Sequence, residues 1–404
     1  NDPLCPVHTS SSVSLLSSES SHTNYRGFLN LGAVIILVTN FRMMLESLSK
    51  YGVLFSLPTP YEIFYDFRSW PCLVAALSLQ FPLILVYFLE VHLRKDLPQT
   101  LVYFARFAIF STTLAVPFIV VETVAAHFIS SFLLLGATLV CIMKMISFAH
   151  VISQALEERK AHHVAFKQFL YFIMAPTLCF QFEYPRSSKI RWIWLSKRIG
   201  EFVLGLLLMG VIVKQQMVPG IYSAIDLMEK ENFSTLKLID RYLKVSVPNL
   251  YVWLLLFYTV FQVALNIIAE LIRFGDRTFY RDWWNAHTLA EYWRLWNAPV
   301  HNWLVRHVYA PMRNKGFSYN TALVSTFFVS ALAHEYIGSG CFHTRSLSGF
   351  FAIMLQVPLI SLTNVFEETL RESQLGNVFF WVSLCIVGQP IVLIIYSYTA
   401  IGQA

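Results

Sequence analysis

The chain has 404 residues, of which 56% are hydrophobic, 16% aromatic and only 13% charged, with a net charge of +6. Soluble domains carry roughly 25% charged residues, so this composition excludes an ordinary water-soluble globule and points to an integral membrane protein. The positive excess is modest and no long basic run exists, which argues against nucleic acid as a partner and for basic loops on one membrane face.

Residues 1–26 are polar and Ser-rich, with no short apolar core behind a basic start, so no cleavable signal peptide is expected there. Residues 27–404 read as one membrane domain. Apolar spans follow at about 28–48, 71–91, 101–122 and 126–148. Asn40 and Arg42 interrupt the first, and Pro117 predicts a kink in the third. After a charged stretch, the apolar segment around Pro176 is too short and broken to span, and reads as interfacial or re-entrant. Its basic end mixes Arg186, Lys189, Arg191, Lys197 and Arg198 with Trp192 and Trp194, which suits a headgroup surface.

The fifth span is expected at 199–219 and the sixth at 248–272, joined by a polar amphipathic connection, 220–247. Residues 273–319 form the longest polar segment outside the termini, rich in Arg, Lys and Trp. Three more spans lie at about 321–339, 347–365 and 377–400. The expected fold is all-α, a multi-pass bundle of about nine transmembrane helices. The basic character of 273–319 puts that loop, and the N-terminus with it, on the cytosolic side. The six cysteines show no CxxC pair and no His partner at zinc spacing, so neither a disulfide nor a metal site is expected.

The segment 321–337, TALVSTFFVSALAHEYI, carries His334 and Glu335 at membrane depth, where ionisable groups are costly and face a bundle interior or a wet cavity. At helical spacing Thr326, Ser330, His334 and Gly338 share one small, polar stripe, while Phe327, Phe328, Leu332 and Ile337 mostly cover other directions. The stripe predicts one wall of a cavity with an imidazole pointing in. Glu335 sits about 100° round the helix and need not face the same space. Gln356 and Gln389 are lone amides in apolar spans, aimed either at a cavity or at another helix.

Phe279-Tyr280-Arg281-Asp282-Trp283-Trp284-Asn285 matches the FYxDWWN signature of membrane-bound O-acyltransferases that esterify hydroxyl-bearing lipids, and Ser-Ala-Leu-Ala-His334-Glu-Tyr resembles that family's catalytic-histidine helix. Asn24-Tyr25-Arg26-Gly27, Ala175-Pro176-Thr177-Leu178-Cys179, Trp296-Asn297 with Pro299-Val300-His301, Gln356-Val357-Pro358-Leu359 and Gly388-Gln389-Pro390 look like the type 1 diacylglycerol O-acyltransferase group, placed here in the sterol O-acyltransferase subfamily.

The resemblance implies helices around an intramembrane tunnel and transfer of a fatty acyl group from acyl-CoA to diacylglycerol, giving triacylglycerol and CoA. It implies His334 as general base, with Asn297 and Glu335 beside it. Gln389, Gln356, Trp296, His301, Tyr309, Arg313 and Lys315 are the implied substrate contacts, and Phe279, Tyr280, Asp282, Trp283, Trp284 and Asn285 a scaffold at the CoA entrance. The family often carries basic residues at the positions of Tyr319 and Leu323, which shifts the expected phosphate contacts to Arg313 or Lys315. No recognisable nucleophile elbow is present, so direct transfer is expected over an acyl-enzyme. Acyl-CoA is a co-substrate and no cofactor is implied. A homodimer or homotetramer in the endoplasmic reticulum membrane is implied as well. The rival readings are a sterol or fatty-alcohol acyltransferase on the same fold, and a membrane lipid transporter with His334 as a proton relay. The lack of internal repeats disfavours the transporter.

Overall fold

A computed structural model describes residues 26–55, 70–157, 164–229, 234–372 and 375–403. Among them the chain is helical, with no strand and a single isolated bridge between Arg186 and Phe274. The residues before Arg26, including Cys5 and the Asn24–Tyr25 pair, lie outside the described set. The chain divides into two units, 1–54 and 55–404.

The first unit holds α1 (Arg26–Tyr51). Its interrupting Asn40 satisfies itself, donating from Nδ2 to the Ile36 carbonyl at 2.7 Å. The second unit contains α2 (Trp70–Leu93), α3 (Gln99–Val124), α4 (Phe128–Glu157), the short α5 (Phe166–Met174), α6 (Trp192–Met228), α7 (Thr235–Leu271), the short α8 (Leu289–Leu295) and α9 (Ala298–Leu304), α10 (Tyr319–Phe342), α11 (Ser348–Val365) and α12 (Gly376–Ile401). Seven of these, α2, α3, α4, α6, α7, α11 and α12, are long and apolar enough to cross a bilayer. The other two expected crossings are also helices, α1 and α10, and α10 carries His334 and Glu335 within its apolar run.

The expected polar connection 220–247 is largely helical. Both α6 and α7 run for 37 residues. At 1.5 Å per residue each is about 55 Å long, well beyond the bilayer core. The extensions hold because each keeps an apolar face: Ile221 and Ile225 of α6 pack with Val245 of α7 and Ile394 of α12. Lys244 and Asp240 meanwhile form an exposed pair at 3.1 Å.

α4 is the central helix. Half of its apolar window is buried, against 11–39% for the other six spans. It carries the buried Lys144, whose Nζ donates to the carbonyls of Phe172 (2.7 Å) and Ala175 (2.8 Å) and lies 4.7 Å from the Phe172 ring centroid. Those carbonyls close α5, where the chain breaks before Pro176. Backbone groups freed by a helix end need partners, and at membrane depth protein must supply them. Lys144 adds a charged donor to each of these carbonyls, beside the amides of Ala175 and Thr177. One turn on, Ser147 accepts from the Phe180 amide at 2.8 Å, and Met143 O accepts from Trp303 Nε1 at 2.7 Å. The broken segment and α9 are thus both pinned to α4.

Candidate active site

A cavity of about 1310 Å³ opens between α4, α8, α9, the turn after α9, and α10, with Ile360 and Asn364 of α11 on one side. Both end residues of α10, Tyr319 and Phe342, line it, so it follows the whole helix, about 34 Å at 1.5 Å per residue. α10 begins at Ser318, whose Oγ accepts from Thr321 N at 3.1 Å, and ends at His343 in the left-handed region with φ 49°.

Thr326, Ser330, His334 and Gly338 all line the cavity, as the helical stripe predicts. Phe327, Leu332 and Ile337 reach it too, because the space wraps more than one face of the helix; Phe328 does not line it. His334 Nδ1 lies 2.8 Å from the Ser330 carbonyl. A carbonyl oxygen can only accept, so Nδ1 carries the proton, and in the neutral ring Nε2 is left as a bare acceptor. The imidazole is exposed, and the space it is exposed to is this cavity.

Glu335 turns the other way. It is buried and does not line the cavity. Its Oε2 accepts from Tyr396 Oη at 2.7 Å and from Phe350 N at 3.0 Å, joining α10 to α11 and α12. Tyr396 Oη in turn accepts from Gly349 N at 3.0 Å. A Cβ at Gly338 or Gly349 would come within 2.5 Å of that hydroxyl, so both positions require glycine for close approach.

Of the other implied contacts, Asn297, Trp296, His301 and Tyr309 line the cavity. Asn297 Oδ1 accepts from Val300 N at 3.2 Å and so caps α9. Trp296 stacks on Trp253 at 4.8 Å. Burial pushes the His301 imidazole below its ordinary pKa, and Arg294 and Arg281 add to the effect. The remaining four are not brought there. Gln356 donates to Ala352 O at 3.2 Å and leaves its buried Oε1 without a partner; Gln389 is half-buried outside the lining. Arg313 and Lys315 are exposed beyond it, Arg313 donating to Phe317 O at 2.7 Å. The one Arg or Lys among the lining residues is Arg294, which sequence reasoning missed. Its pair with Glu291 is a loose 3.7 Å.

The FYxDWWN motif lies behind the cavity wall. Trp283 is buried against Phe257 (4.9 Å), Trp253 (5.1 Å) and Trp381 (5.6 Å). Phe279 packs with Ala175 and Ala269, and Tyr280 Oη donates to Gln262 Oε1 at 2.7 Å. Asp282 and Asn285 form the short 3-10 turn, with Asn285 N donating to Asp282 O at 3.0 Å, and the Trp284 carbonyl accepts from Asn377 Nδ2 at 2.9 Å. None of the six lines the cavity. The motif fastens the loop to α7 and α12.

A second feature missed from sequence is a hydrogen-bonded chain beside the cavity. His307 Nε2 lies 2.8 Å from Ser147 Oγ, and His307 Nδ1 lies 2.9 Å from His150 Nδ1. The order is that of nucleophile, base and orienting group, but Ser147 is fully buried and already accepts from Phe180 N, so it is no acyl acceptor. Burial, His150 and Arg306 hold His307 at a pKa of about 4, below its ordinary 6.5. The unfolded chain therefore binds the extra proton first, and this contribution to stability is complete above pH 6.5 and lost as pH falls from 6.5 towards 4. Unfolding temperature in detergent should decline over that range, and a His307→Gln variant should show a flatter profile.

The family model described as MBOAT, membrane-bound O-acyltransferase family, matches residues 23–398. The chain belongs to the membrane-bound O-acyltransferase family and is a multi-pass membrane protein. It is 36% identical over 419 residues to diacylglycerol O-acyltransferase 1B of Glycine max, covering 99% of this chain and 82% of the relative. To diacylglycerol O-acyltransferase 1 of Arabidopsis thaliana it is 36% identical over 412 residues, covering 99% and 78%. With the protein of the same name from Dictyostelium discoideum the figures are 37% over 399 residues, 95% and 63%. These relatives carry the diacylglycerol O-acyltransferase name, so the placement in a sterol O-acyltransferase subfamily is corrected.

Proposed function

We propose that the protein transfers a fatty acyl group from acyl-CoA to the free hydroxyl of diacylglycerol, giving triacylglycerol and CoA. The observation that carries the mechanism is His334 Nε2, bare and facing a large, mostly apolar cavity. A neutral hydroxyl is a weak nucleophile, and a histidine base is suited to the operating pH. His334 takes the hydroxyl proton as oxygen attacks the thioester carbonyl. The C–O bond forms, the C–S bond breaks, and the imidazolium returns the proton to the departing thiolate. Asn297 lines the same cavity with its Oδ1 committed to the cap, so its amide nitrogen is the group available to donate to the carbonyl oxygen as charge develops there. Glu335 acts at a distance, fixing the helix that carries His334.

The relatives' names support diacylglycerol as acceptor. Family membership and the basic loop 273–319 support an endoplasmic reticulum membrane with the N-terminus cytosolic. The homo-oligomer rests on the family resemblance. The test offers labelled oleoyl-CoA to purified protein with diacylglycerol, cholesterol or hexadecanol. Triacylglycerol is the expected product. Cholesteryl ester or wax ester alone would move the reading to another acceptor, and no ester at all would favour a transporter.

A further inference from the structure

The geometry points to Gly136 as the residue that sets how long an acyl chain the donor can carry. This rests on the acyl-CoA reading above and deepens it. Gly136 lies inside α4 and lines the cavity between Phe132 and Val140, one turn away on either side. A Cβ built there meets nothing within 4 Å. Glycine in a helix interior is otherwise unfavourable, and here no neighbouring backbone or side chain crowds it. The position is a notch in the wall. Gly338, by contrast, lines the same cavity with its space already filled by Tyr396.

The level of the notch follows from how α4 and α10 pair. Phe128 meets Phe342 at 5.2 Å between ring centroids, whereas Met143 and Ile146 share a cluster with Val329. The two helices run in opposite directions, and Gly136 falls about one turn, ~5 Å, beyond His334 towards Phe342. The cation that suits CoA phosphates is on the other side: α8, which carries Arg294, packs through Trp293 against Phe327, on the Tyr319 side of His334. With the thioester carbon at His334 and CoA towards Arg294, the acyl chain extends the opposite way, past Gly136. The wall there is mostly apolar, with Phe128, Phe132 and Phe342 and the Cys341 thiol beside them.

The experiment compares the unsubstituted protein with Gly136→Ala, Gly136→Met and Gly136→Phe. The new side chains enter open space, so unfolding temperatures in detergent should not fall. With butanoyl-CoA, whose chain ends before it reaches the notch, the variants should match the unsubstituted protein. With oleoyl- and eicosanoyl-CoA, kcat/KM should fall with side-chain size, by about tenfold or more for Phe, since even one misplaced methylene in an apolar pocket is worth about that. An equal loss at every donor length would overturn the proposal. So would a loss that follows the chains of the diacylglycerol instead. Binding of the non-reactive thioether analogues of butanoyl- and oleoyl-CoA gives a readout without turnover. If the unsubstituted protein formed no triacylglycerol but Gly136→Phe still bound only the short analogue, the acyltransferase reading would fail and the assignment of Gly136 would stand; equal binding of both analogues would sink the assignment itself.

Discussion

His334→Ala should lower triacylglycerol formation about 10²–10⁴-fold, the range a positioned general base contributes, while acyl-CoA binding and unfolding temperature stay near those of the unsubstituted protein. The side chain faces the cavity and its one hydrogen bond is to the carbonyl of its own helix, so its loss leaves no distant group without a partner. His334→Gln should be nearly as inactive, because an amide cannot take the proton. Activity within a few-fold of normal in either variant would remove His334 from the chemistry. A loss of folded protein would instead show the histidine to be a packing residue.

Lys144→Met has the opposite profile. Its side chain is close in length and apolar, so the helix itself should tolerate it. The carbonyls of Phe172 and Ala175 would lose the charged donor and keep only the backbone amides of Ala175 and Thr177, and a hydrogen bond to a charged group contributes about 1.5–3 kcal/mol. The expected result is a clear drop in unfolding temperature, with proteolysis appearing in the segment after Pro176 before the rest of the chain is cut. Lys144→Gln, which keeps a donor, should recover part of the loss. An unchanged unfolding temperature for Lys144→Met would show that the backbone amides of Ala175 and Thr177 are enough for those carbonyls.

These two residues mark what the sequence could and could not reveal. His334 was legible because its neighbours repeat at helical spacing: a stripe of Thr326, Ser330 and Gly338 is a local pattern. Lys144 was not, because it bonds to residues 28 and 31 positions away and reads only as a flaw in an apolar span. His307 reaches back 160 residues to Ser147, and no local pattern announces that. Glu335, Gln356 and Gln389 show the limit from the other side. A polar group in an apolar helix has two destinations, a cavity or a neighbouring helix, and residue type does not choose between them. The Tyr396 hydroxyl settles the matter for Glu335. The length of α6 and α7 was missed because their charged ends read as a polar amphipathic connection between spans, while the stripe of Ile221, Ile225 and Val245 that keeps them helical finds its partner in α12.

The placement of His334 along α10 also governs how products part. The histidine sits about 12 Å from the Phe342 end and about 22 Å from the Tyr319 end. On the proposed reaction, the two products differ sharply in the solvent they prefer. CoA keeps all its charge and departs by the end that holds Arg294. The ester has just lost its hydroxyl, the hydrogen-bond donor that anchored the acceptor at the headgroups. It is released already at hydrocarbon depth, with nothing to draw it back to the interface. The protein would then deposit oil between the two leaflets without ever passing it through water.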